Sequence, residues 1–417
     1  MRFGIMTLDD FDVGGKTVLC RVDINQPINR EKGTLRDTTR IKGCVPTVRE
    51  LSDKGARVVL LAHQGSDIEY HNFFSTRPHA AVLSDFLARP VKFIDDVCGP
   101  AAREAISRLS DGEILLLDNV RYLGEEQTLF ELNLGLSHEE QSKTLLVQTL
   151  APLADLYVCD AFAAAHRNQP SLCGFEQLLP SAMGRLFERE YCEVSKLMEA
   201  PARPCLFILG GAKISDTFMM METVLKNGTA DAILTGGLVA NVMLAATQKP
   251  VGSGSLALIR KSGHEKFLEA AETLCKNYPD KIVLPLDLAG SRNGLRIDYA
   301  LSEVPEDLEA LDIGQKTAEM YAGRIRDVAT VFLNGPMGVF EQEETSLGTR
   351  TVMEALGNSK AYTVVGGGDS ITALKRFDQT DRISYICTGG GALIRFLTGE
   401  ELPVVKALRT AAERGLD

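Results

Sequence analysis

Short apolar runs alternate with amphipathic segments along the whole chain, and this constrains the fold more than any other feature. The first half carries TVLCRVD (17–23), RVVLLAH (57–63), VKFI (91–94), EILLLDN (113–119) and LYVCDAF (156–162). The second half carries CLFILGG (205–211), AILTGG (232–237), IVLPLDL (282–288), VATVFLNG (328–335), YTVVGGG (362–368) and ISYICTG (383–389). These runs are apolar on both faces, as strands of a parallel sheet covered by helices must be. Helical patterns such as RIKGCVPTVRELSDKG (40–55) and GHEKFLEAAETLCKNYP (263–279) lie between them. The alternation predicts α/β architecture with two doubly wound parallel-sheet domains.

A chain of 417 residues exceeds what one hydrophobic core usually supports, which agrees with two domains. The boundary is expected at one helix, MGRLFEREYCEVSKLMEA (183–200), stopped by PARP (201–204). The expected layout is therefore 1–182, a connecting helix over 183–200, and 201–417, with the last roughly 15 residues able to pack back on the first domain. A cleft and a hinge are expected between the halves.

The formal net charge of −11 argues against non-specific nucleic-acid binding, which needs a basic surface. It does not argue against small anionic substrates, since arginines can cluster inside an acidic protein. No apolar stretch approaches the ~20 residues of a membrane span, and MRFGIMTLDDFD turns acidic too early for a secretory signal. The nine cysteines are scattered and form no C-x-x-C pair, which fits free thiols in a reducing cytoplasm.

In the first half, polar residues collect at or just past the ends of the strand-like runs. Arg21, Asp23 and Asn25 fall on alternate positions, which would place them on one face of a strand. Arg40 opens a helical pattern, His63 ends LLAH, Arg121 follows LLLDNV, and His166 and Arg167 follow DAFAAA. Strand ends of a parallel sheet share one edge, where ligands of such folds bind. Guanidinium forks there suit a phosphate and a carboxylate. Any one of these arginines is equally compatible with a surface salt bridge. The histidines suit orientation and hydrogen bonding, because an attacking carboxylate needs no base.

In the second half, apolar runs end in glycine turns followed by helical patterns: LGGAKISD (209–216), TGGLVAN (235–241), LNGPMGVFE (333–341), VGGGDS (365–370) and TGGGAL (388–393). Strand, glycine turn and helix can point backbone N–H groups at an anion. None is a P-loop or a dinucleotide fingerprint. Asp369 is either an N-cap or a carboxylate holding Mg²⁺ beside phosphates. Lys213 is either a plain surface residue or a cation for a transferring phosphoryl group. Asn334 and Gly335 can add polar contacts to the same phosphates.

The motifs RVDINQP, DTTRI, LLAHQG, LLLDNVRY, DAFAAAHR, LGGAKISD, LNGPMGVFE, VGGGDS and ISYICTGGGA, in this order, resemble those of phosphoglycerate kinases, and LAHQG and DAFAAAHR look closer to the archaeal members. The resemblance implies reversible phosphoryl transfer between 1,3-bisphosphoglycerate and ADP, giving 3-phosphoglycerate and ATP. It implies that Asp23, Asn25, Arg40, His63, Arg121 and Arg167, supported by His166, hold the phosphoglycerate. Gly210, Gly211, Gly236, Gly237, Asn334, Gly366, Gly367, Gly368, Asp369 and Ser370 would hold ATP or ADP, with Glu341 on the ribose and Asp369 orienting Mg²⁺. Lys213 and Arg40 would act on the phosphoryl group in flight, and the hinge would lie near the 183–200 helix. A cytoplasmic monomer with small-molecule substrates and no nucleic-acid or membrane partner is expected.

Two positions depart from the family pattern. Ser66-Asp67 stands where the family has arginine-proline, and Thr217 stands where it has a lysine. Arg77 is a substitute cation only in an offset register, and Thr217 retains a hydroxyl donor. The first departure keeps open a kinase for another carboxylate. A non-catalytic nucleotide-binding paralog is the other alternative.

Overall fold

A computed structural model describes residues 1–29, 31–65 and 73–415, so Ser66 and Asp67 lie outside the described residues. The chain divides into two compact units, Met1–Cys192 with Glu401–Asp417, and Glu193–Glu400. The division falls inside the helix Arg185–Glu199, and the C-terminal segment belongs to the first unit.

The first unit is built on a six-stranded parallel sheet. Its strands are β1 (Thr17–Arg21), β4 (Arg57–Leu61), β5 (Val91–Ile94), β6 (Ile114–Leu117), β7 (Leu156–Cys159) and β8 (Ser181–Met183), in the order β5-β6-β4-β1-β7-β8. A short antiparallel ribbon of β2 (Ile28–Asn29) and β3 (Thr34–Leu35) precedes the helix Thr39–Asp53. That helix buries Ile41, Cys44, Val48 and Leu51, a helical stripe packed on Val18, Cys20, Val58 and Leu60. Each such apolar side chain contributes roughly 1.5–3 kcal/mol on burial. Sequence order reverses between β1 and β7, which is where an open α/β sheet leaves a crevice at its carboxyl edge.

The second unit repeats the plan with β9 (Cys205–Leu209), β10 (Ala232–Thr235), β11 (Ile282–Val283), β15 (Thr330–Asn334), β16 (Tyr362–Gly366) and β17 (Tyr385–Cys387), ordered β11-β10-β9-β15-β16-β17. All neighbours are parallel, and the reversal falls between β9 and β15. An additional antiparallel sheet, β13-β12-β14, joins β12 (Asp287–Arg292), β13 (Leu295–Ala300) and β14 (Asp312–Ile313). The run 282–288, expected as one strand, is therefore two: Val283 ends β11 and Asp287 starts β12, with Pro285 between them. The strand β8 was not expected at all.

The helix Arg185–Glu199 is fastened at its start to the first unit. Arg185 meets Glu50 at 2.7 and 2.8 Å, Asp9 at 2.5 Å and Glu188 at 3.0 Å. The buried Asp160 Oδ1 accepts the Leu186 N–H at 2.9 Å and the Phe187 N–H at 3.2 Å. The hydrogen bond from Arg185 holds Glu50 down from 4.5 to about 2. Because its folded pKa is depressed, this stabilisation is full above pH 4.5 and is lost as pH falls toward about 2. Arg185→Met should cost about 1–2 kcal/mol at pH 7, allowing for partial exposure. Urea midpoints at pH 7 and pH 2 check this, and the gap to the parent should narrow at the lower pH.

Candidate functional site

In the first unit the polar cluster forms just past the carboxyl ends of β1, β4, β6 and β7. His63, 6% exposed, lies just past the end of β4. Burial, then the cations Arg121, Arg21, Arg167 and Arg40, push its imidazole well below the ordinary histidine range. The ring is therefore neutral at physiological pH, and its surroundings show that these four arginines do gather around one point. Such a concentration of positive charge can attract an anion.

Each cation is held in its own way. Arg40 pairs with the buried Asp23 through Oδ2, and Asp23 Oδ1 accepts the Asn25 N–H at 3.2 Å. Asn25 Oδ1 accepts the Gly65 N–H at 3.0 Å. Asp23 and Asn25 therefore shape the cluster by holding Arg40 and the Gly65 turn. Arg121 is buried and donates to the Gly65 carbonyl. Arg167 is half-buried and donates to Thr128 Oγ1 at 2.7 Å, with Glu131 at 3.8 Å. His166 is half-buried on the same turn.

Arg21 departs from expectation. The strand β1 ends at Arg21, so the supposed common face with Asp23 and Asn25 does not exist, and the Arg21 side chain is fully buried. Arg77 lies outside the cluster: it stacks 4.4 Å over Phe93 and pairs with Asp95 at 3.5 Å. Sequence reasoning missed Gln64 and Asn119, whose side chains lace the turn. Asn119 Oδ1 accepts the Gln64 and Arg121 N–H groups, both at 3.1 Å, and Gln64 bonds Gln26 and His79. The available signal was their position beside His63 and Arg121 at strand ends.

In the second unit a cavity of about 340 Å³ opens at the reversal point. It is lined by Gly211, Ala212, Gly237, Asn241, Leu288, Leu311, Met337, Phe340, Glu341 and Asp369 among others. Its walls are mainly apolar, with carboxylates and bare backbone at a few points, the composition of a small-molecule site.

The glycine turns make this cavity in a way that corrects the phosphate-cradle expectation. The N–H groups of Gly210, Gly211, Gly236 and Gly237 are all engaged by protein carbonyls, those of Asn334 (2.9 Å), Pro336 (2.8 Å), Leu209 (3.0 Å) and Met337 (2.7 Å). These glycines let three loops interlock. A Cβ on Gly237, where φ is +55°, would sit 2.7 Å from Gly211 N and 3.0 Å from Pro336 O. Gly366 packs on Leu393 inside β16, and Ser370, fully buried, accepts the Gly335 N–H at 2.7 Å. Both make these contacts within the protein.

What remains open is the start of the helix Gly368–Arg376. Gly367 is its N-cap, with φ +89° and no side-chain cap, so Asp369 is not the N-cap. Asp369 is exposed and lines the cavity, and a Cβ on Gly368 would meet open space. The first-turn N–H groups of Gly368 and Asp369 have no acceptor among the described residues. Asn334 faces this turn, 3.2 Å from the Cβ position of Gly367. Lys213 is exposed at the N-cap of the helix Ile214–Lys226, with no ion pair among the described residues. Thr217 is buried and its hydroxyl donates to the Lys213 carbonyl at 2.9 Å, so it offers no replacement donor.

No group of three or more metal-ligating side chains occurs among the described residues. A lone carboxylate such as Asp369 fits Mg²⁺ brought in on phosphates, since that ion binds through one or two carboxylates plus phosphate oxygens. Among the described residues no helix is long and apolar enough to cross a membrane.

The comparisons agree with this geometry. The family model for phosphoglycerate kinase matches residues 8–400. A phosphoglycerate kinase of Methanothermobacter thermautotrophicus is 46% identical over 408 residues, covering 98% of this chain and 97% of that protein. One from Methanothermus fervidus is 42% identical over 412 residues, covering 99% and 98%. The crystal structure of phosphoglycerate kinase from Pyrococcus horikoshii OT3 superposes with a TM-score of 0.89 at 38% identity, covering 98% of this chain and all of that one. That of Coxiella burnetii gives 0.82 at 29% identity. With an arginine cluster in one unit, an apolar cavity in the other and relatives this similar from end to end, the chain belongs to the phosphoglycerate kinase family.

Proposed function

We propose that the protein transfers the acyl phosphoryl group of 1,3-bisphosphoglycerate to ADP, and runs the reverse reaction from 3-phosphoglycerate and ATP. The observation that carries this is the gathering of Arg21, Arg40, Arg121 and Arg167 around a neutral His63. Such a cluster suits a small molecule bearing both a phosphate and a carboxylate.

In the forward direction the bond between phosphorus and the acyl oxygen breaks, and one forms to a terminal oxygen of ADP. The leaving group is a carboxylate, so no proton has to move. The work left to the protein is positioning, charge neutralisation and exclusion of water. Arg40, Arg121 and Arg167 bind and neutralise the phosphoglycerate, with Asp23 and Asn25 holding the turn around them. The second-unit cavity takes the nucleotide, with Glu341 toward the ribose and the Gly367–Asp369 turn toward the phosphates. Lys213 acts on the phosphoryl group in transfer. Asp369 would hold Mg²⁺ brought in on the nucleotide phosphates, and that ion would supply further charge neutralisation. The reading includes a monomeric, cytoplasmic enzyme, and sedimentation of the purified chain checks the first of these.

A coupled assay of acyl phosphate formation from ATP and 3-phosphoglycerate tests the reaction. Turnover is the expected result. Nucleotide binding without turnover of 3-phosphoglycerate would overturn it in favour of another carboxylate substrate, with Ser66 and Asp67 the first positions to examine. Asp369→Ala should lower Mg²⁺-dependent kcat by about 100-fold, the scale of one lost charge contact in a transition state. Its thermal midpoint should stay near the parent's, because the side chain is exposed. Parent-like turnover at saturating Mg²⁺ removes Asp369 from the metal site.

A further inference from the structure

Behind the arginine cluster of the first unit runs a buried polar chain that substrate contact does not explain. Arg21, 0% exposed, donates from Nε to Ser171 Oγ at 3.0 Å and from one terminal nitrogen to the Val22 carbonyl at 2.7 Å. Its other terminal nitrogen lies 2.9 Å from Nδ1 of His63. Ser171 in turn donates its hydroxyl to Glu126 Oε2 at 2.7 Å, and Glu126 Oε1 accepts the Ser171 N–H at 2.5 Å. Glu126 is itself fully buried. The relay Glu126–Ser171–Arg21–His63 thus has a direction: every proton in it points away from the ring except the one that Arg21 gives to the ring.

A guanidinium has only donors. Nδ1 of His63 must therefore present its lone pair to Arg21. Burial and the four surrounding cations keep the ring from taking a second proton. The single ring proton is then on Nε2, which has no partner among the described residues. Left to itself, a neutral imidazole could present either an N–H or a lone pair at that nitrogen, and a lone pair would repel an anionic oxygen. The charged groups bearing on the ring are Arg21 from β1, Arg40 from the helix Thr39–Asp53, Arg121 after β6 and Arg167 after β7. Asp23 is paired to Arg40, and Glu126 bears on Arg21 through Ser171.

We propose that Arg21 is a positioning residue that fixes the Nε2–H tautomer of His63, so that the ring meets an anionic substrate oxygen as a neutral hydrogen-bond donor. Arg21 then acts through His63 and touches no ligand. The identity of that anion, a phosphoglycerate, rests on the function proposed above, while the tautomer does not.

The test is nitrogen-15 NMR of the full chain labelled at histidine, with the His63 signals assigned by loss in His63→Gln. In the parent, Nδ1 should be of the unprotonated type and Nε2 of the protonated type, unchanged across about pH 5.5–8, where free histidine titrates. In Arg21→Met the single ring proton should redistribute from Nε2 toward Nδ1, while burial and the three remaining cations keep the ring neutral. The KM for 3-phosphoglycerate should rise about tenfold at pH 8, the worth of one mispresented hydrogen bond, with kcat less affected. Arg21→Lys, which keeps a donor and the charge, should restore the parent tautomer at least in part. A parent ring protonated at Nδ1 or doubly protonated at neutral pH overturns the proposal, whether or not any variant folds. So does a folded Arg21→Met with an unchanged His63 spectrum. If the tautomer is as stated but 3-phosphoglycerate is not turned over, the reaction assignment fails and the tautomer stands, with inorganic phosphate as the anion to titrate against the Nε2 signal.

Discussion

Lys213→Ala lowers kcat by about 100- to 1000-fold, the cost of removing one preorganised charge contact from a transition state. The KM for nucleotide moves much less, because the effect falls on the group in transfer and not on its ground state. Lys213 is exposed, follows the Gly211–Ala212 wall of the cavity and has no ion-pair partner among the described residues. No described residue pairs with it, which leaves its charge free to meet an incoming anion. For the same reason its loss leaves the thermal midpoint within about 2 °C of the parent. Steady-state kinetics in both directions, with a melting curve, make the measurement. A raised KM with intact kcat would show that Lys213 only anchors nucleotide.

Gly335→Ala has the largest expected effect on stability. Gly335 sits at φ +89°, and a Cβ there would overlap the Gly210 carbonyl and approach Gly211 N to 2.9 Å. Strain at positive φ costs about 1–2 kcal/mol, and overpacking against backbone adds about 1–3 kcal/mol. A loss of roughly 2–5 kcal/mol is therefore expected. Because the loop also walls the cavity through Pro336 and Met337, ADP affinity falls with it. Chemical unfolding and titration calorimetry check the pair of effects. Parent-like values in both would mean that the three loops do not interlock as described.

The strands of both sheets were legible because parallel strands buried on two faces leave uninterrupted apolar runs such as TVLCR and CLFIL. Two features were not. The three residues of β8 are too short to carry a pattern, and Pro285 hides the passage from one sheet to another inside what looks like a single run. At the sites, residue types were legible and orientation was not. Arg21 has the chemistry of a substrate ligand, and only the end of β1 beneath it shows that it faces inward. Likewise a glycine needed for close approach to a ligand and one needed for close approach to another loop are identical in sequence. Gly210 and Gly236 closely approach the Pro336–Met337 loop. Asp369 could not be separated from an N-cap until Gly367 was seen to occupy that position.

The helix Pro403–Glu413 belongs to the first unit, where it buries Val404, Val405, Ala407, Leu408 and Ala411, and Arg414 just beyond it donates to the carbonyls of Glu176 and Gln177. A ribosome makes these residues only after the whole second unit. The first unit therefore waits, with an apolar seat uncovered, until the whole second unit has been synthesised. The second unit, continuous from Glu193 to Glu400, can finish folding as it emerges. The first unit is thus begun before the second and completed after it, so removal of the helix Pro403–Glu413 damages the half of the molecule encoded far upstream.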